Sequence, residues 1–181
     1  MEWEKVDIAK LAFGARSKDG KFVPVTYEGG PLRFRTPPLP IEIAPSVSDK
    51  YADAGLSMAF STAGMPPGFI DLLRGINDGF HKTAFANPAW FDVASIPADM
   101  KGKFMGDVFD EGKGVWRVKC KSTYWWDEAG GKTTQLAFEK GEGVTMIVEM
   151  GGSAIVNAKA YLSTAARDVK KADASAVVCP L

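Results

Sequence analysis

The chain of 181 residues is 46% hydrophobic and 24% charged, which suits one domain with a sizeable core and excludes a disordered polymer. Its 22 basic residues balance 22 acidic ones, which excludes a global field drawing it onto nucleic acid or an anionic membrane; any polyanion site must be a local patch. Two cysteines, Cys120 and Cys179, and the single His81 exclude a disulfide scaffold and a zinc finger, and both thiols are expected to be reduced.

In chain order, the opening M-E-W-E-K-V-D lacks a basic region followed by an apolar one, and nowhere do about 18 apolar residues run together. A soluble, intracellular protein is expected, with an infected host cell or a virion interior fitting equally. Val6 to Phe13 alternates loosely and reads as a first strand, closed by S-K-D-G at Ser17 to Gly20. Lys21 to Tyr27 reads as a second, and Pro24 assigns it to a sheet edge, because proline has no amide to donate. After a turn at Gly29 and Gly30, Pro31 to Thr36 alternates cleanly, with Leu32 and Phe34 on one face and Arg33 and Arg35 on the other. Pro37, Pro38 and Pro40 predict an extended loop.

Leu56 to Phe60 reads as a further strand. Phe69, Leu72, Leu73, Ile76 and Phe80 then recur at helical spacings, predicting one amphipathic helix that ends near Ala86, before Pro88, and is weakened by Gly75 and Gly79. Trp90 and Phe91 are expected to anchor its end. The glycine-rich passage from Ala98 to Gly114 carries no assignable pattern.

Val115 to Trp126, V-W-R-V-K-C-K-S-T-Y-W-W, is the stretch richest in cations beside aromatics. As a strand it puts Arg117, Lys119 and Lys121 on one face and Trp116, Val118 and Cys120 on the other, a basic ribbon backed by a core face. Continued alternation sets Trp125 with the basic residues and Tyr124 and Trp126 opposite; a bulge near Ser122 reverses this, so Tyr124 and Trp125 both stand as stacking candidates. After a turn at Asp127 to Lys132, Thr133 to Phe138 and Val144 to Met150 alternate as strands. Ala154 to Ser163 follows, with Lys159 and Tyr161 opposite Val156, Ala158, Ala160 and Leu162. A single domain over residues 1–165 with a flexible C-terminal tail over 166–181 is expected.

Strands, one helix, then strands, without βαβ alternation, predict a mainly β fold. An OB-like Greek-key barrel with one helix inserted between strands, after the third, fits best, and a β-sandwich is the alternative. No catalytic constellation is legible. His81 sits on the helix without a partnering nucleophile motif, the paired glycines follow no phosphate-loop spacing, and Asp107, Asp110 and Glu111 read as a solvated acidic loop rather than a Mg²⁺ site. Neither an enzyme nor a cofactor is expected.

The stretches P-L-R-F-R-T-P-P at 31 to 38, the striped helix, W-R-V-K-C-K, and E-G-V-T-M-I-V-E-M-G-G-S-A-I-V-N-A-K-A-Y resemble a family of uncharacterised proteins of nucleocytoplasmic large DNA viruses. That family is similar in turn to viral and phage single-stranded-DNA-binding proteins built on an OB-fold. The likeness covers most of residues 5 to 165. It departs near the middle of the last strand, where related chains often carry an aromatic and this one has Ala158 or Ala160, and in the ending A-S-A-V-V-C-P-L, where phage members often carry an acidic tail. The resemblance implies a role in viral DNA replication or recombination.

The plainer reading of the basic strands is the solvated face of an antiparallel sheet. Against it stands convergence: three separate strands present cations or aromatics opposite their apolar sides. The expected function is therefore sequence-tolerant binding of single-stranded DNA, with RNA and self-association left open and no membrane partner. Arg33, Arg35, Arg117, Lys119, Lys121 and Lys159 would meet phosphates, and Tyr124, Trp125 and Tyr161 would stack on bases. The alternative is a non-enzymatic structural or assembly protein, such as a minor virion component.

Overall fold

The computed structural model describes residues 1–15, 23–46, 56–97, 109, 111–120, 125–126, 132–133, 140–152 and 159–167. The strands are β1 (Leu11–Phe13), β2 (Val23–Tyr27), β3 (Gly30–Pro31), β4 (Arg33–Arg35), β5 (Leu39–Ser46), β6 (Leu56–Ser61), β7 (Val115–Cys120), β8 (Trp125–Trp126), β9 (Lys132–Thr133), β10 (Gly143–Gly152) and β11 (Lys159–Arg167). Among the described residues one α-helix, α1 (Pro67–Phe85), lies between β6 and β7.

The chain begins differently from expectation. Trp3–Lys5 and Ile8–Lys10 are single 3₁₀ turns, and only Leu11–Phe13 is a strand. Asp7 explains the second turn: its carboxylate accepts the Ala9 amide at 3.0 Å, an N-cap that competes with extension. The β2–β3 hairpin turns at Glu28 and Gly29, both at positive φ (50° and 87°), the pattern of a type I′ turn.

Pro24 lies in an interior strand, for β2 pairs with β1 on one side and with β3 and β10 on the other. A residue's N and O point to the same side of a strand, and Pro24 O accepts the Gly14 amide at 2.9 Å. The missing donor therefore faces Gly14, just past the end of β1, and the Gly151↔Pro24 pair needs none.

The prolines at 37 to 40 also fail to make a loop. β4 and β5 run one after the other along β10, pairing Arg33↔Glu149 through Arg35↔Ile147, then Leu39↔Val144 and Pro40↔Gly143. Between them Thr36 bridges the gap. Its amide donates to Met146 O at 2.8 Å and its hydroxyl accepts the Met146 amide at 3.0 Å. Pro37 and Pro38 interrupt the ladder without changing its course, because proline is compatible with extended backbone and lacks only the donor.

The pairings close on themselves. β5 pairs with β6, β6 with β7, β7 with β11, β11 with β10, and β10 with β5. With β4–β5 as the first strand, the circuit runs first, second, third, fifth, fourth and back to the first, and only the third-to-fifth contact (β7 with β11) is parallel. The fold is mainly β and OB-like, a five-stranded Greek-key barrel. Its helix follows the second barrel strand, where the sequence reading placed it after the third. β1, β2 and β3 extend the sheet from the far end of β10.

Alternation fills the interior. Leu32, Phe34, Leu39, Ile41, Met58, Phe60, Trp116, Val118, Val144, Met146, Val148 and Met150 are buried, and the helix adds Phe69, Leu72, Leu73, Ile76 and Phe80. Phe69 joins the elements: its ring lies 5.5 Å from Trp3, 6.2 Å from Phe34 and 5.6 Å from Trp116. α1 starts with Pro67 in its first turn and ends at Phe85, and the side chain of Asn87, two residues on and just before Pro88, donates back to Thr83 O at 2.7 Å. Trp90 and Phe91 follow in a 3₁₀ turn and pack on the core.

The helix glycines have a packing reason. A Cβ at Gly79 would stand 2.5 Å from Cε2 of Phe13, one at Gly75 would collide with Ile8, and one at Gly68 would touch Trp3 at 3.5 Å. The N-terminal segment thus lies along the glycine side of α1, approaching its backbone more closely than larger residues would allow. His81 is buried on this helix. Among the described residues no helix is long and apolar enough to cross a membrane.

Candidate nucleic-acid interface

The basic positions belong to strands far apart in sequence, and the register brings them together. Arg33 on β4 sits opposite Glu149 on β10, Glu149 opposite Tyr161 on β11, Tyr161 opposite Lys119 on β7, and Lys119 opposite Ser57 on β6. Directly opposed residues share a sheet face, so these five form one transverse row across the barrel wall. Arg33 is exposed, and its neighbours Leu32 and Phe34 are fully buried, so this row lies on the outer face.

A second row runs beside it. Arg117 is exposed between buried Trp116 and Val118, and pairs with Ala59, which pairs in turn with Ile43. Lys159 immediately precedes Ala160, the partner of Val118, which sets it level with Arg117 across the parallel β7–β11 contact. Arg35, also exposed, stands two residues from Arg33, opposite Ile147, and its amide donates to Met1 O at 2.8 Å.

The strands that carry these positions form for separable local reasons. β4 is a three-residue exposed–buried–exposed alternation held against β10. β7 is fixed by Trp116 and Val118 on the core side, Trp116 lying 6.3 Å from Phe60 on β6. β11 pairs on both sides and carries a bulge, since Ile147↔Thr164 and Val148↔Leu162 leave Ser163 without an opposite number.

Trp125 and Trp126 pair with Ala165 and Ala166, which oppose Met146 and Thr145. Trp125 is therefore in the Met146 row, out of phase with Arg117 and Lys119. Five steps separate Cys120 from Trp125, whereas their partners Leu162 and Ala165 are three steps apart, so surplus residues lie between β7 and β8. Lys121 and Tyr124 lie in that interval, outside the described residues. For Lys119, Trp125, Lys159 and Tyr161 the backbone register is what is described.

One charged member of the row escaped the sequence reading. Glu149 holds Arg33: Nε donates to Oε2 at 2.7 Å and the guanidinium Nη2 lies 2.6 Å from the same oxygen. The only signal was the E in V-E-M, opposite in phase to Val148 and Met150, and nothing local pointed to a partner more than a hundred residues away. Asp107 and Asp110 lie outside the described residues, and among the described residues no group of three or more His, Cys, Asp or Glu is placed to hold a metal ion.

No family model and no curated protein matches the chain. Among solved structures, gp2.5, a single-stranded DNA binding protein encoded by bacteriophage T7, is similar at 13% identity and TM-score 0.47, over 81% of this chain and 92% of that one. A single-stranded DNA-binding protein from bacteriophage Enc34 is similar at 15% identity and TM-score 0.45, over 92% of this chain and 96% of that one. The same Enc34 protein in complex with single-stranded DNA is similar at 13% identity and TM-score 0.44, over 90% and 98%.

Proposed function

We propose that this protein is a non-enzymatic, sequence-tolerant single-stranded-DNA-binding protein, acting in the replication or recombination of a large DNA virus. The observation that carries the reading is the register: β4, β7 and β11 lie side by side or across β10, so that Arg33, Lys119 and Tyr161 fall in one outer row with Arg117 and Lys159 beside them. A single strand needs cations spaced along a track and a ring for its bases. On OB barrels the face of the second and third strands commonly receives it, and here these are β6 and β7. Arg33, Arg35, Arg117, Lys119, Lys121 and Lys159 would neutralise phosphates. Tyr161 would stack, its register lying among the cations, and Tyr124 is the further stacking candidate.

The test is fluorescence-anisotropy binding to labelled oligo-dT at low salt, for wild type and for Arg117→Glu combined with Lys119→Glu. Tight binding that the double reversal weakens at least tenfold, in a protein that still melts cooperatively, supports the reading. No binding by folded wild type overturns it. The balance of 22 basic against 22 acidic residues favours one other reading, a structural or assembly protein whose outer strands meet protein partners. Self-association by sedimentation without DNA binding would establish that reading instead.

A further inference from the structure

We infer that Glu149 is a built-in competitor for the nucleic-acid phosphate, holding Arg33 in reserve and setting how tightly and how salt-dependently the outer face binds. The inference rests on the DNA-binding reading above. Glu149 stands in the middle of the outer row, with Arg33 on one side and the Tyr161↔Lys119 pair on the other, and it is the row's one acidic residue. Both the Nε and one terminal nitrogen of Arg33 converge on a single carboxylate oxygen, at 2.7 and 2.6 Å. A guanidinium so engaged has spent its best donor fork on a carboxylate, the group that most nearly imitates a phosphate.

Exposure decides whether the pair is a fixed strut or an exchangeable one. The Arg33 side chain is 53% exposed and that of Glu149 33%. Ion pairs in contact with water contribute little and exchange readily, so a phosphate arriving along the row can take the guanidinium from the carboxylate. The exchange is isoelectric at Arg33 and leaves the freed Glu149 charge beside the incoming backbone, which lowers the net gain. The other five named cations then carry most of the counterion release. Glu149 is a positioning residue, acting through Arg33, and it also discourages a phosphate from settling at the centre of the row.

The experiment is a salt series with labelled oligo-dT on wild type, Glu149→Gln, Arg33→Gln and the double variant. Glu149→Gln is expected to bind about fivefold more tightly at low salt, and its slope of log affinity against log salt should steepen by about 0.7, one extra single-strand phosphate contact. Arg33→Gln should cost at least threefold more in the Glu149→Gln background than in wild type, because only there is the guanidinium released. A loss of strand packing alone would not steepen the slope. Should Glu149→Gln fail to fold, Glu149→Thr, whose β-branched side chain suits a strand, gives the same comparison. Unchanged or weaker binding with an unchanged slope, in a folded variant of a protein that does bind, overturns the inference. Failure of wild type to bind any oligonucleotide overturns the function reading itself.

Discussion

At the residue scale, Phe69 has the largest structural consequence. Its ring contacts Trp3, Phe34 and Trp116, so one side chain ties the N-terminal turn, β4 and β7 to the helix. Phe69→Ala would leave a cavity that three separate elements cannot all collapse into, and it should cost about 3–5 kcal/mol, read by urea denaturation. Glu28 makes the opposite case. It occupies a positive-φ position (50°) in a type I′ turn where asparagine is favoured, so Glu28→Asn should stabilise by about 0.5–1 kcal/mol. Its ion pair with Lys10, more than half exposed on both sides, offsets little of that gain.

At the scale of elements, α1 and β10 were the most legible. Phe69, Leu72, Leu73, Ile76 and Phe80 mark the helix by period alone, and Val144, Met146, Val148 and Met150 mark a strand face. Prolines misled, at 24 and at 37 to 40, because sequence shows that a donor is missing but not which way the missing donor would have faced. Partners misled further. The glycines of α1 looked like weaknesses, and they are the bed of the N-terminal segment. Gly79→Ala should destabilise by about 1–2 kcal/mol, because its Cβ would meet the ring of Phe13, which is held in β1. Gly75→Ala should cost less, about 0–1 kcal/mol: both Cγ atoms of Ile8 would stand 3.1 Å from the new Cβ, but Ile8 is 43% exposed in a single 3₁₀ turn that can yield, and the helix gains propensity. Paired thermal melts of the two variants separate these outcomes by a few degrees.

At the scale of the whole molecule, the candidate site is an assembly of pairings that no window of sequence contains. The alternation in R-F-R and W-R-V-K shows which residues face outward, but Arg33 meets Lys119 only through Glu149 and Tyr161, two strands contributed much later in the chain. With a formal net charge of +0, the proposed attraction to DNA would rest on a local patch such as this one. If about five cations meet phosphates, log affinity against log salt should have a slope near −3.5 in an oligo-dT titration. A slope shallower than about −1 would sink the electrostatic mechanism, because at the single-strand coefficient it leaves fewer than two contacts.

The order in which the barrel closes also bears on how the protein is made. β11 is the last strand of the circuit and the partner of both β7 and β10, so while the chain is still being synthesised, every earlier barrel strand can exist and the circuit remains open. Ribosomes add roughly 5–20 residues per second, so the interval between the emergence of β7 and that of β11 is on the order of seconds. Throughout it, two strand edges backed by apolar faces stand available to any neighbouring nascent chain. A product that terminates before Lys159 is trapped at that stage, and it should accumulate as aggregate rather than as a smaller folded domain.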